Sequence, residues 1–282
     1  MALMRHHPRR SNFRPENVAE STKKAAAFLE TITTNEPRWW EVGIEKCREM
    51  RELGQTPLPK PVYLPEGLNG TVPSRDAGYL PAFSWGGFVL ATHKHSDTTL
   101  REHANKCQLT AISVGYRLAP ERPYPAAVHD AIDATEYLVV HATEIHGLIL
   151  PYGLFDLTLD LPTVSSSTKP LLINRAILER FNGAYIPGMS TTEHKHPCVS
   201  PLYEDLQTLV ASAATLPESS SSSLLPPALF LCGTEDPLLD GTILMSSKWS
   251  IAGGETIVKI YPGATHGLRR SRVCLSRRRR MR

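Results

Sequence analysis

Two stretches near the C-terminus each end in a residue able to do acid–base chemistry. In Leu229-Phe230-Leu231-Cys232-Gly233-Thr234-Glu235-Asp236 an apolar run reaches a glycine and then acids, so Asp236 falls just past the end of a predicted strand. Further on, Val258-Lys259-Ile260-Tyr261-Pro262-Gly263-Ala264-Thr265-His266 repeats the design with an imidazole in the same place. Open α/β sheets carry their functional groups outside the carboxyl ends of the strands. A carboxylate beside an imidazole fixes the tautomer and stabilises the imidazolium, which leaves the second ring nitrogen to act as a general base. Alone, such an acid caps a turn and such a histidine sits on the surface. Together, in the order acid then histidine, the pair reads as functional.

A base of this kind needs a hydroxyl or thiol to activate. Ser84, in Ala82-Phe83-Ser84-Trp85-Gly86, and Ser113, in Ala111-Ile112-Ser113-Val114-Gly115, both have the small-x-Ser-x-Gly surroundings of a nucleophilic serine. That role requires a strand, a sharp turn and then a helix. The stretch Gly86-Gly87-Phe88-Val89-Leu90 beyond Ser84 has no clear N-cap or helical run. Ser113 lies inside an apolar strand that continues into Tyr116, which puts its hydroxyl on a sheet face. Neither is expected to be the nucleophile.

The elements that must hold these residues alternate. Helical spacing predicts helices over 17–34 and 39–53, and Pro and Gly make 55–81 an irregular connection. Strands are expected at 111–116, 147–150, 228–232 and 257–261, with helices at 125–141 and 238–252. Strand–helix–strand alternation implies a parallel sheet covered on both faces. The length of 282 residues suits one large α/β domain, or one with a small helical cap. The Ser-rich stretch 216–227 reads as a flexible insertion.

Composition narrows the function classes. No apolar run approaches the ~18–20 residues of a membrane span. The basic N-terminus lacks the apolar core of a secretory signal, so the expected location is the cytoplasm. Five scattered cysteines, an odd count without C-x-x-C spacing, predict reduced, mostly buried thiols and no zinc site. The pairs His93/His95 and His194/His196 lack further ligands, so neither a metal nor another cofactor is expected. The net charge of +3 is concentrated in the Arg-rich end 269–282, read as a disordered tail. No accompanying basic face or aromatic platform makes it a nucleic-acid surface.

The most specific stretch is Tyr116-Arg117-Leu118-Ala119-Pro120-Glu121, continuing through Pro125 to Asp130. With Ser84-Trp85-Gly86-Gly87, Ser200-Pro201-Leu202-Tyr203, and the segments ending in Asp236 and His266, it resembles the hormone-sensitive-lipase-like branch of the α/β-hydrolases. That group includes arylacetamide deacetylase and many microbial and fungal esterases. The resemblance covers most of 81–267. It implies an α/β-hydrolase fold: a mostly parallel sheet flanked by helices, with an N-terminal helical cap and linker over 1–70, a core over 71–268 and the tail at 269–282. The implied activity is hydrolysis of short- to medium-chain acyl or aryl carboxylic esters, with a small ester or acyl molecule as ligand. Phe28, Trp39 and Trp40 fall in the cap. Asp236 takes the part of the triad acid and His266 of the triad base, and Asp156 is a structural loop residue. Gly86 and Gly87 match glycines whose backbone N–H groups face the developing oxyanion. Ser84 and Trp85 stand where the group has the first two residues of His-Gly-Gly-Gly.

One part of the pattern is missing. The group's nucleophile motif, Gly-Asp/Glu-Ser-Ala-Gly-Gly, belongs between the helix ending near His141 and the strand beginning near Gly147. No Gly-x-Ser-x-Gly occurs anywhere in the 282 residues. The expectation is an incomplete core that lacks a central strand, the turn and the following helix, a unit of about 30 residues, with the nucleophile unknown. Such a chain is an impaired or inactive ester hydrolase, or alternatively a non-catalytic ligand-binding or regulatory pseudo-hydrolase. Sequencing the transcript across His141–Gly147 tests the related idea that alternative or faulty splicing removed this unit. Continuous coding as written defeats it.

Overall fold

The computed structural model describes residues 14–34, 37–56, 61, 63, 79–83, 86–141, 147–169, 171–215 and 225–267. Ser84, Trp85, most of the Ser-rich stretch and the Arg-rich tail lie outside these residues. The elements run, in chain order, α1 (Glu20–Thr34), α2 (Trp39–Val42), α3 (Ile44–Leu53), β1 (Tyr79–Phe83), α4 (Asp97–Cys107), β2 (Thr110–Val114), α5 (Ala126–His141), β3 (Leu148–Pro151), α6 (Pro162–Ser165), α7 (Arg175–Tyr185), α8 (Thr191–His194), α9 (Leu206–Ala213), β4 (Ala228–Gly233), α10 (Leu239–Ile251) and β5 (Thr256–Tyr261). The chain divides into two compact units: residues 36–145 with 180–188, and residues 1–35 with 146–179 and 189–282.

In the first unit β1 and β2 pair in parallel, from Tyr79↔Thr110 to Phe83↔Val114. β1 lies where the sequence predicted only an irregular connection. Its Pro81 weakens the strand signal, yet proline is tolerated on an edge strand, where a backbone N–H need not join a ladder. α4 packs on β2. The helix predicted over 39–53 breaks at Gly43, whose φ of 90° only glycine adopts easily, so α2 and α3 are separate. β2 ends at Val114 rather than continuing to Tyr116. From there Arg117 forks onto Asp130 of α5, with Nη2 donating to Oδ1 at 2.7 Å and Nε to Oδ2 at 3.0 Å. The Arg117 backbone N–H adds a third bond to Oδ2 at 2.8 Å, so one carboxylate ties the exit of β2 to α5.

In the second unit β3, β4 and β5 form a parallel sheet in the order β3-β4-β5. β4 is central and apolar along its length, as a strand covered on both faces must be. Phe230 is fully buried and packs with Leu206, Ala228 and Met245, supported by Leu148, Leu150, Phe155, Trp249 and Val258. α10 packs on β4 and β5, and the Trp249 indole N–H donates to the Pro226 carbonyl at 3.0 Å.

α5 is followed directly by β3. Only residues 142–147 separate them, too few for a further strand, turn and helix. The expectation of buried thiols is corrected: of the four described cysteines Cys232 alone is buried, Cys47 is half-buried, and Cys107 and Cys198 are exposed. Cysteines on α4 and in the loop after α8 follow the outer faces of those elements, which scattered spacing does not reveal.

Replacing Phe230 with alanine removes the centre of this core. The expected cost is about 3–5 kcal/mol, read as a lower urea midpoint with an unchanged slope. Gly233→Ala is expected to fail more severely, because a Cβ there would collide with the Ala264 carbonyl oxygen.

Candidate active site

Because β4 and β5 are adjacent and parallel, their carboxyl ends open on the same side. The two loops that follow are laced together. Thr234 N–H donates to Tyr261 O at 3.1 Å and Glu235 N–H to Ala264 O at 3.0 Å, while the Thr234 hydroxyl accepts from Gly263 N–H at 2.8 Å. This stitching brings Asp236 and His266 together. The His266 Nδ1 lies 3.0 Å from Asp236 Oδ2 and 3.3 Å from Oδ1. An ionised carboxylate only accepts, so Nδ1 carries the proton and Nε2 is left as the basic nitrogen. Asp236 is 1% exposed, and its Oδ1 also accepts from Leu238 N–H at 3.0 Å. The carboxylate is therefore held from two sides, while the imidazole keeps an open edge. Among the described residues no serine hydroxyl bonds to this imidazole.

Gly86 and Gly87 form a tight turn in the other unit, with φ of 138° and 61°. Val89 and Leu90 N–H both donate to Gly86 O, at 3.1 and 3.0 Å. Neither glycine admits a side chain: a Cβ on Gly86 would lie 2.6 Å from that of Ala91, and one on Gly87 would lie 2.7 Å from Phe181. Arg48 of α3 clamps the turn. Its Nε and Nη2 donate to Val89 O at 3.0 and 2.8 Å, Nη2 also reaches Ala119 O at 2.9 Å, and Nη1 binds Glu121 at 2.7 Å. Arg48 thus links the glycine turn to Glu121. Its hydrogen bonds are the chief reason the Glu121 carboxyl sits below its usual range.

Sequence reasoning missed Arg48 and also Tyr152, whose ring packs against the His266 imidazole. Neither stands in a motif, and each is joined to its partners only through the fold. Ser113 lies on β2 and donates its hydroxyl to His93 O at 2.7 Å, with no helix beginning before α5. His95 has both ring nitrogens engaged, by Thr92 N–H at 3.1 Å and Glu52 at 3.0 Å, so it offers no free base. Asp156 is buried and accepts from the Thr158 N–H and hydroxyl, both at 2.9 Å. The Cys232 thiol is pushed far above its usual range, first by burial and then by the Asp236 charge, so it is no nucleophile at neutral pH. Among the described residues no cluster of three metal-binding side chains occurs, and no helix is long and apolar enough to cross a membrane.

The family described as alpha/beta hydrolase fold matches residues 83–148 and 140–269, which is more than half of the chain. The chain belongs to this family, the hormone-sensitive-lipase-like group of α/β-hydrolases. It is 26% identical to the carboxylesterase NlhH of Mycobacterium tuberculosis over 89% of this chain and 83% of that one. It is 28% identical to an ethyl acetate hydrolase of Pseudomonas putida over 66% of this chain and 64% of the relative. A solved hormone-sensitive lipase from a metagenome library shares the fold with a TM-score of 0.68 at 20% identity, over 89% of this chain and 91% of that one. The two family matches meet at 140–148, between α5 and β3. The NlhH alignment spans 284 positions yet draws on 89% of 282 residues, about 251, so within that span about 33 positions of that relative have no counterpart here.

Arg48→Met is expected to cost about 2–3 kcal/mol, the scale of lost charge-assisted hydrogen bonds to buried carbonyls, with Arg48→Lys intermediate in thermal unfolding. The depressed Glu121 carboxyl contributes stability that is present above its usual 4.5 and lost as pH falls through its lower folded value. Arg48→Met is expected to remove that part of the acid dependence.

Proposed function

We propose that this cytoplasmic chain is, by descent, a hydrolase of short- to medium-chain acyl or aryl carboxylic esters whose machinery stops at the imidazole. Asp236 and His266 are the acid and base of a relay, and the N–H groups of Gly86 and Gly87 are the donors for an oxyanion. By resemblance, the N-terminal helices take the part of the family's cap. In the complete reaction a serine attacks the ester carbonyl and passes its proton to His266 Nε2. The tetrahedral oxyanion is held by the glycine turn, the alcohol leaves with the proton from His266, and water activated by the same imidazole releases the acid. The 3.0 Å contact of His266 Nδ1 with a buried carboxylate carries this reading, since it orients the ring for both proton transfers.

Among the described residues no serine takes the part of the first actor. α5 runs directly into β3, about 33 positions of NlhH have no counterpart, and no Gly-x-Ser-x-Gly occurs. These observations support low or absent turnover. Sites stripped of their nucleophile keep only about 10³–10⁴-fold acceleration over water. A second reading is a ligand-binding or regulatory protein that retains an acyl pocket, supported by an Asp236–His266 pair to which no serine hydroxyl is bonded among the described residues.

The test is turnover of p-nitrophenyl butyrate by the purified chain, with Ser84→Ala, Ser113→Ala and His266→Ala alongside. Turnover several orders below that of a complete serine esterase, unchanged by either serine substitution, is expected. Robust turnover abolished by one of them would overturn the reading. A ligand-induced rise in melting temperature without turnover would favour the binding role.

A further inference from the structure

We infer that Tyr152 is a positioning residue for the His266 imidazole, a role that rests on the relay reading of Asp236 and His266. The Tyr152 and His266 rings meet edge to face, with centroids 4.7 Å apart and planes at 63°. Beyond the two hydrogen-bond contacts with Asp236, this is the one aromatic ring contact of His266 among the described residues.

The backbone is built to deliver that ring. Pro151 pairs with Leu231 on the last rung of the β3–β4 ladder, and Tyr152 N–H extends it with a 2.6 Å bond to Leu231 O. The chain then turns at once, with Tyr152 at φ 40°, in the left-handed region that residues with a Cβ avoid. A glycine would take this turn more easily. A bulky aromatic held there by the ladder on one side is a conformation retained where the side chain's direction matters. Gly153, the next residue, approaches the Phe155 ring closely, and Phe155 packs on Phe230, so the far side of the turn is anchored in the core.

The physical effect is on ring rotation. Asp236 holds the imidazole at Nδ1 alone, so a rotation about χ2 that breaks this one hydrogen-bonded contact carries Nδ1 off the carboxylate and frees the ring. An aromatic edge contact favours one orientation about three- to tenfold. Tyr152 thereby keeps Nδ1 on the carboxylate and presents Nε2 at a constant angle. The contact uses the ring, so the hydroxyl is dispensable for it.

Proton and nitrogen NMR of the full chain carrying ¹⁵N-histidine reads this directly, with His266→Gln assigning the signals. The wild type is expected to show a low-field Nδ1 proton and the Nδ1-protonated tautomer. Tyr152→Phe keeps both. Tyr152→Gly suits the left-handed backbone, so it is expected to melt at or above the wild-type temperature. It is nevertheless expected to lose at least threefold in the low-field signal, with tautomer exchange. An unchanged low-field proton and tautomer in Tyr152→Gly would overturn the positioning role while leaving the Asp236–His266 pair standing. Absence of the low-field proton from the wild type would overturn the pair itself, and the role of Tyr152 with it.

Discussion

The parallel adjacency of β4 and β5 is the constraint on which the site depends. Neither Asp236 nor His266 belongs to a strand; each hangs on the loop beyond one. They meet because two neighbouring strands end together and their loops hydrogen-bond to each other through Thr234, Glu235, Gly263 and Ala264. The approach is so close that position 233 has no room for a side chain. The Asp236 side chain lies fully buried at the bottom of this join, where its oxygens are satisfied by the imidazole and the Leu238 N–H, as a buried polar group requires.

A separate network governs the glycine turn. Two arginines divide the work in the Tyr116–Glu121 stretch and its surroundings. Arg117 points to Asp130 and secures the route from β2 to α5. Glu121 faces the other way and meets Arg48, whose remaining donors satisfy the carbonyls of Val89 and Ala119. The specificity of that sequence stretch is therefore largely scaffolding: its charged residues hold the turn and the helix rather than contact a reacting group.

Against these intact parts stands the junction between α5 and β3. The strands form two separate parallel sheets among the described residues, and the break falls at this junction. Apolar side chains are exposed on both approaches to it: Tyr137, Val139 and Val140 at the end of α5, and Ile149 on β3.

The sequence by itself determined most of the local order. Short apolar runs marked β2, β4 and β5, the spacing of apolar residues marked α1, α5 and α10, and the repeated strand-then-acid, strand-then-histidine design singled out Asp236 and His266. These signals are legible because they are set by residues a few positions apart. Tertiary structure alone decided the rest. β1 forms despite Pro81 because β2 offers it a partner, and Gly43 breaks a helix whose periodicity continues on either side. Arg48 acts on residues 41, 71 and 73 positions away, and nothing local distinguishes it from the other basic side chains of the chain. Tyr152 faces His266 only because the β3 ladder ends in a left-handed turn. Local sequence sets which elements form, but the groups that meet across them are chosen by packing and pairing over distances that periodicity does not encode.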